Sequence, residues 1–157
     1  MCATLTREVA SRTIEALSKS AGEFNQKMKP KILIVDDDVA ITQQLFWTLC
    51  DEYEVVTAND MSTAIRRVVI YEPPVIVLDL HLPPTLDAPD SGMRVLQYIR
   101  DNFSASKVFV TSSAATAEMQ RACLEGGAEG FFSKPLDIEN LLASVRRTVL
   151  ARCVEAA

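Results

Sequence analysis

The chain has 157 residues, 48% of them hydrophobic, and a formal charge of -5. That is enough apolar material for one ordinary domain with a core, and the acidic balance speaks against binding nucleic acid through a basic surface. No apolar run nears the ~20 residues that span a bilayer, no secretory signal opens the chain, and Cys2, Cys50, Cys123 and Cys153 are too scattered for a zinc site or a disulfide scaffold; a cytoplasmic protein with reduced thiols is expected.

Residues 1–29 read as an amphipathic helical extension. Ala10, Ile14, Leu17, Ala21, Phe24 and Met28 recur at spacings of four and three, which makes a heptad seam. Gly22 weakens it, and the run is close to the minimum length for an isolated helix. Such a stripe needs cover. Docking on the chain's own surface and pairing with a second copy are equally expected, with a frayed leader as the third outcome. The mixed charges and the narrow, alanine-rich stripe speak against a membrane surface.

From residue 30 to about 153 short apolar runs alternate with helical patterns. Ile32 to Val35 reads as a strand and Val39 to Cys50 as a helix, with Asp38 its N-cap or first-turn acid. Glu54 to Thr57 is a second strand; Asn59 or Asp60 caps the next helix, whose apolar positions are Ala64, Ile65, Val68 and Val69, and Pro73-Pro74 closes it. The run Val75 to Leu78 is continuous, as in a strand covered on both faces. A proline-rich loop leads to a helix over Met93 to Arg100, with Asp90 or Ser91 as its cap. Lys107 to Thr111 is a strand, Ala115 to Glu125 a helix stopped by Gly126-Gly127, and Gly130 to Ser133 a fifth strand. Asp137 caps the last helix. Five βα units imply a parallel sheet with helices on both faces and a ligand site beyond the carboxyl ends of the strands.

Those ends carry a coherent set. The first strand runs into Asp36 and Asp37, the third ends in Asp79, the fourth in Thr111, and the fifth in Ser133-Lys134-Pro135. Like charges so close resist ionising side by side unless a cation joins them. Hard oxygen donors of this kind suit Mg2+. A carboxylate beside a bound divalent cation stays ionised and can act as a nucleophile; toward a phosphoryl electrophile the cation, the lysine and the hydroxyl are the expected clamps.

The stretches VDDD, VLDLHLP, VTSSA and EGFFSKPL, in this order and each at a strand end, resemble the receiver domain of two-component response regulators. The resemblance covers about Lys31 to Leu150. It implies a flavodoxin-like (βα)5 doubly wound parallel sheet of strand order 2-1-3-4-5, here with an N-terminal helix. It further implies that Asp79 is the phosphoacceptor, that Asp37 binds Mg2+ directly and Asp36 mostly through water, and that Asp79 and the backbone carbonyl of His81 complete the ligands. Thr111 would be the switch hydroxyl, Lys134 the phosphate contact, held by a Lys-Pro peptide usually cis in the family, and Phe131 the switch aromatic. His81 and Ser113 would flank the path of the attacking water, the His81 side chain facing solvent. The loop HLPPTLDAPDSGM departs from the family by being longer. Asp87 or Asp90 in it offers an extra acid.

Two function classes follow. The leading one is a phosphorylation-controlled signalling switch, with no enzymatic activity beyond self-catalysed phosphotransfer and dephosphorylation. It takes its phosphoryl group from a histidine kinase or phosphotransfer protein and changes its contacts through the face of the last two βα units. A downstream protein target, or a second copy met through that face or the N-terminal helix, is the expected partner; nucleic acid and membrane are not. The alternative is a receiver-like scaffold that binds proteins regardless of phosphorylation. An aspartyl phosphatase is a third option, disfavoured because His81 stands where a second acid is usual.

Overall fold

The computed structural model describes residues 28–84 and 90–156. Five parallel strands, β1 (Lys31–Val35), β2 (Glu54–Ala58), β3 (Val75–Asp79), β4 (Lys107–Ser112) and β5 (Gly130–Ser133), form one sheet in the order β2-β1-β3-β4-β5. Between and after them run α1 (Val39–Leu49), α2 (Met61–Tyr71), α3 (Ser91–Asn102), α4 (Ala117–Glu125) and α5 (Ile138–Glu155). This is the flavodoxin-like order expected. The N-terminal helix falls outside the described residues except for Met28 and Lys29, which have no regular secondary structure. Pro30 accounts for that at Lys29, because a proline disfavours α geometry in the residue before it.

Alternation along the strands sorts the core into two layers. Leu33, Val35, Ile76, Leu78, Val108 and Val110 face α2, α3 and α4, where they meet Ala64, Val68, Val95, Leu96, Ile99 and Cys123. Ile32, Ile34, Val75, Val77 and Phe109 face α1 and α5 and meet Leu45, Leu49, Leu141, Val145 and Val149. Every residue of β3 is buried, which is why its sequence shows no polar alternation.

Local chemistry sets the helix ends. Asp38, Asp60, Thr116 and Asp137 each accept a backbone N–H of the following first turn, at 2.8, 2.8, 3.2 and 3.1 Å. The fourth helix therefore starts at Ala117, two residues later than its composition suggested, because Thr116 takes the cap. Asp90 stands at the N-cap of α3 without a side-chain cap bond; its carboxylate pairs with Arg94 at 3.2 Å instead. Asp87 lies outside the described residues. Glu72, at φ 42°, and Gly127, at φ 102°, turn the chain after α2 and α4. In α2, Val69 is half exposed, so the apolar face of that helix is narrower than its composition implies. No helix among the described residues is long and apolar enough to cross a membrane.

Candidate functional site

Register brings the strand ends together. Val35 pairs with Leu78 and Asp79 with Thr111, so the residues just past β1, at the end of β3 and near the end of β4 share one rim of the sheet. Lys134 joins them because its backbone N–H continues the β4–β5 ladder to the Ser112 carbonyl at 2.8 Å. The peptide that follows, Lys134-Pro135, is cis.

Carboxylate oxygens of Asp36, Asp37 and Asp79 lie within 4.8 Å of one another. Asp36 and Asp79 are 4% and 2% exposed, whereas Asp37 faces solvent. The Lys134 ammonium sits 2.8 Å from Asp36 Oδ2 and 3.2 Å from Asp79 Oδ2. Asp36 Oδ1 accepts the Asp38 backbone N–H at 2.9 Å, and Asp79 Oδ1 accepts that of His81 at 3.1 Å. Burial pushes the Asp36 carboxyl above the usual aspartate range; the Lys134 and Asp38 hydrogen bonds offset only part of that, and the nearby Asp79 charge adds to it. Burial alone would pull Lys134 down, but the bond and charge of Asp36, then Asp79, reverse it and raise the lysine.

The ammonium pairs with two of the three carboxylates, and among the described residues Asp37 makes no ion pair. Such a cluster can take a further cation, and its donors are all hard oxygens. The donor set therefore fits Mg2+, with Asp37 the open acid on the solvent side.

Around the acids, Thr111 is fully buried and lies on the Phe109 face of β4. Phe131 packs against the core layer of Val108 and Val110, while Phe132 turns to the other layer and meets Phe109 edge-on at 5.9 Å. The His81 side chain is half exposed, as expected, with Nδ1 3.9 Å from Asp79 Oδ1. Its hydroxyl neighbour is Ser112, whose Oγ lies 3.5 Å from His81 Nδ1, while Ser113 is exposed. The Ser112 Oγ also accepts the Ala114 N–H at 3.1 Å and approaches the Met119 sulfur at 3.6 Å. Strand alternation carries the signal for this: Ser112 follows Val108 and Val110 on one face.

Gly92 is a second site residue whose role the sequence reading missed. A Cβ there would lie 2.3 Å from the Leu80 carbonyl oxygen, so only glycine lets α3 approach the backbone just after Asp79. The signal was present as a glycine inside the first turn of a helix.

The response regulator receiver domain family matches residues 32–146. The transcriptional regulatory protein KdpE of Staphylococcus aureus is 32% identical over 120 residues, which are 76% of this chain and 49% of that protein. The transcriptional regulatory protein PrrA of Mycobacterium tuberculosis is 32% identical over 124 residues, 78% of this chain and 51% of that one. The chain thus spans about half the length of these curated relatives. Among solved structures, the receiver domain of a Luxo repressor protein from Vibrio parahaemolyticus aligns with a TM-score of 0.71 at 26% identity, covering 82% of this chain and 98% of that one. The BeF3-activated DrrB receiver domain aligns with a TM-score of 0.70 at 27% identity, covering 78% and 98%.

Proposed function

The chain belongs to the response regulator receiver family, and from that membership we propose that it is a phosphorylation-controlled switch whose acceptor is Asp79. A carboxylate oxygen of Asp79 attacks the phosphorus of a phosphohistidine carried by a histidine kinase or phosphotransfer protein. The P–N bond breaks, the departing imidazole takes up a proton, and an acyl phosphate remains on Asp79. Lys134, already within 3.2 Å of Asp79, offers its ammonium to the transferring oxygens. Asp36, Asp37, Asp79 and the His81 carbonyl are the groups that would hold Mg2+, which when bound neutralises charge on the phosphoryl oxygens.

The new dianion then biases the groups around it. Thr111, register partner of Asp79, turns its hydroxyl toward the phosphate, and Phe131 repacks against the layer it already touches. The outer surface of α4, β5 and α5 changes, and a protein partner reads that change.

One observation carries this reading: Lys134 bridges Asp36 and Asp79, two buried acids from different strands, beside the open Asp37. Incubation with acetyl phosphate and Mg2+ followed by intact-mass measurement tests it. A single added phosphate is expected, absent in Asp79→Ala and absent in EDTA. Persistent lack of the adduct with several donors would favour the scaffold alternative.

A further inference from the structure

α1 carries apolar side chains on two adjoining sectors, where a surface helix ordinarily has one. Leu45 and Leu49 enter the core. Val39, Phe46, Trp47 and Cys50 fall, with Gln43, on the neighbouring sector by helical spacing. Val39 is 67% exposed and Trp47 72%, and the Phe46 and Trp47 rings meet edge-on at 5.4 Å. Beside this stripe is a groove lined by Met28, Phe46, Cys50, Tyr53 and Val55, with Lys29 and Glu54 as its charged members.

The chain itself enters at this groove. Met28 lines it and is exposed, and the entry is pinned: Lys29 Nζ donates to the Cys50 carbonyl at 2.9 Å, and the Glu54 N–H to the Pro30 carbonyl at 3.0 Å. The described chain therefore starts, at Met28, beside the carboxyl end of α1, where the exposed stripe ends. The residues before it carry the seam Ala10, Ile14, Leu17, Ala21 and Phe24. As a helix, residues 10–27 would be about 27 Å long against about 16 Å for α1, at 1.5 Å per residue. Alone, a helix of that length is marginal, so it needs a surface. Covalent attachment at Met28 gives it an effective concentration near this stripe that a second copy does not reach in dilute solution.

We propose that residues 1–27 pack as an amphipathic helix along α1 of the same chain, their apolar seam covering the Val39–Trp47 sector and the groove below it. Trp47 is the only tryptophan, so its fluorescence reports the cover directly. The test compares acrylamide quenching of the full chain with a full-length Leu17→Asp/Phe24→Asp variant, each at two dilutions and with sedimentation in parallel. Expected is at least a twofold lower quenching constant and a blue-shifted emission for the parent, independent of dilution. Equal quenching in parent and variant overturns the proposal. So does protection that disappears on dilution together with a dimer, because a second copy then supplies the cover. The milder Leu17→Ala/Phe24→Ala variant gives the same reading if the acidic substitutions disturb folding.

Discussion

Lys134 and Asp36 stand 98 positions apart and meet at 2.8 Å, with both side chains largely withdrawn from solvent. The contact links the end of β5 to the end of β1 across the two strands between them. Removing one partner of a buried pair leaves the other charged and unmatched, so Lys134→Met is expected to cost about 3 kcal/mol. Urea unfolding in EDTA measures it. A loss below about 0.5 kcal/mol, the size of an exposed pair, would mean that solvent already relieves the acids.

Asp37 is the acid that Lys134 does not reach. It adds to the negative charge without sharing the ammonium, so Asp37→Asn should stabilise the metal-free protein, by about 1 kcal/mol, the size of one charge pair at about 4 Å in a water-like dielectric, since Asp37 is exposed. The same change should weaken Mg2+ binding. A ligand that binds only the folded state stabilises it in proportion to the logarithm of its concentration over its dissociation constant. Millimolar Mg2+ is therefore expected to raise the Tm of the parent and to leave that of Asp37→Asn nearly unmoved. Equal rises in both would remove Asp37 from the ion site.

Much of this site is legible in the sequence alone. A strand that runs straight into a charged or hydroxylated residue shows itself in sequence; Asp36, Asp79 and Lys134 each end or follow such a run, and Thr111 stands one residue before the end of its own. A parallel sheet then forces the ends onto one rim. What stayed hidden depends on depth and neighbours. The Gly92 approach to Leu80 is a contact between the start of α3 and the end of β3, which no periodicity encodes. The contact of Ser112 with His81 was hidden too, because it depends on β4 running one residue past Thr111.

Gly92 makes a sharp prediction because its neighbour is backbone. A methyl group cannot be accommodated 2.3 Å from the Leu80 carbonyl oxygen, and neither α3 nor the end of β3 can yield without moving the other. Overpacking of this kind costs roughly 1–3 kcal/mol, and Gly92→Ala is expected near the upper end. Since Leu80 follows Asp79 directly, phosphorylation by acetyl phosphate should slow as well. Urea unfolding and the mass assay check the two effects separately.

Asp60 offers a pH-dependent test away from the site. The Thr63 backbone N–H holds its carboxyl below the ordinary value of 3.8. An acid depressed in the folded state contributes its stability above its unfolded value and loses it as the pH falls through the folded one. Asp60→Ala should therefore cost about 1 kcal/mol at neutral pH, the usual worth of an N-cap. The gap between parent and variant should close as the pH drops below 3.8. A gap that stays constant down to acid unfolding would assign the effect to helix propensity, not to the cap.

His81 lies between the acceptor and solvent, its ring half exposed, 3.9 Å from Asp79 Oδ1 and 3.5 Å from Ser112 Oγ. A ring beside the carboxylate, held toward Ser112, is placed to cover the acyl phosphate more than to activate a water that must approach in line with the breaking bond. His81→Ala should then shorten the lifetime of the phosphorylated protein several-fold, while His81→Leu, which keeps the cover but loses both nitrogens, should leave it near the parental value. Intact-mass measurement after removal of donor follows both decays. If the imidazole acts instead as a base toward water, both variants lengthen the lifetime together, and the leucine variant separates cover from chemistry because it retains only the first.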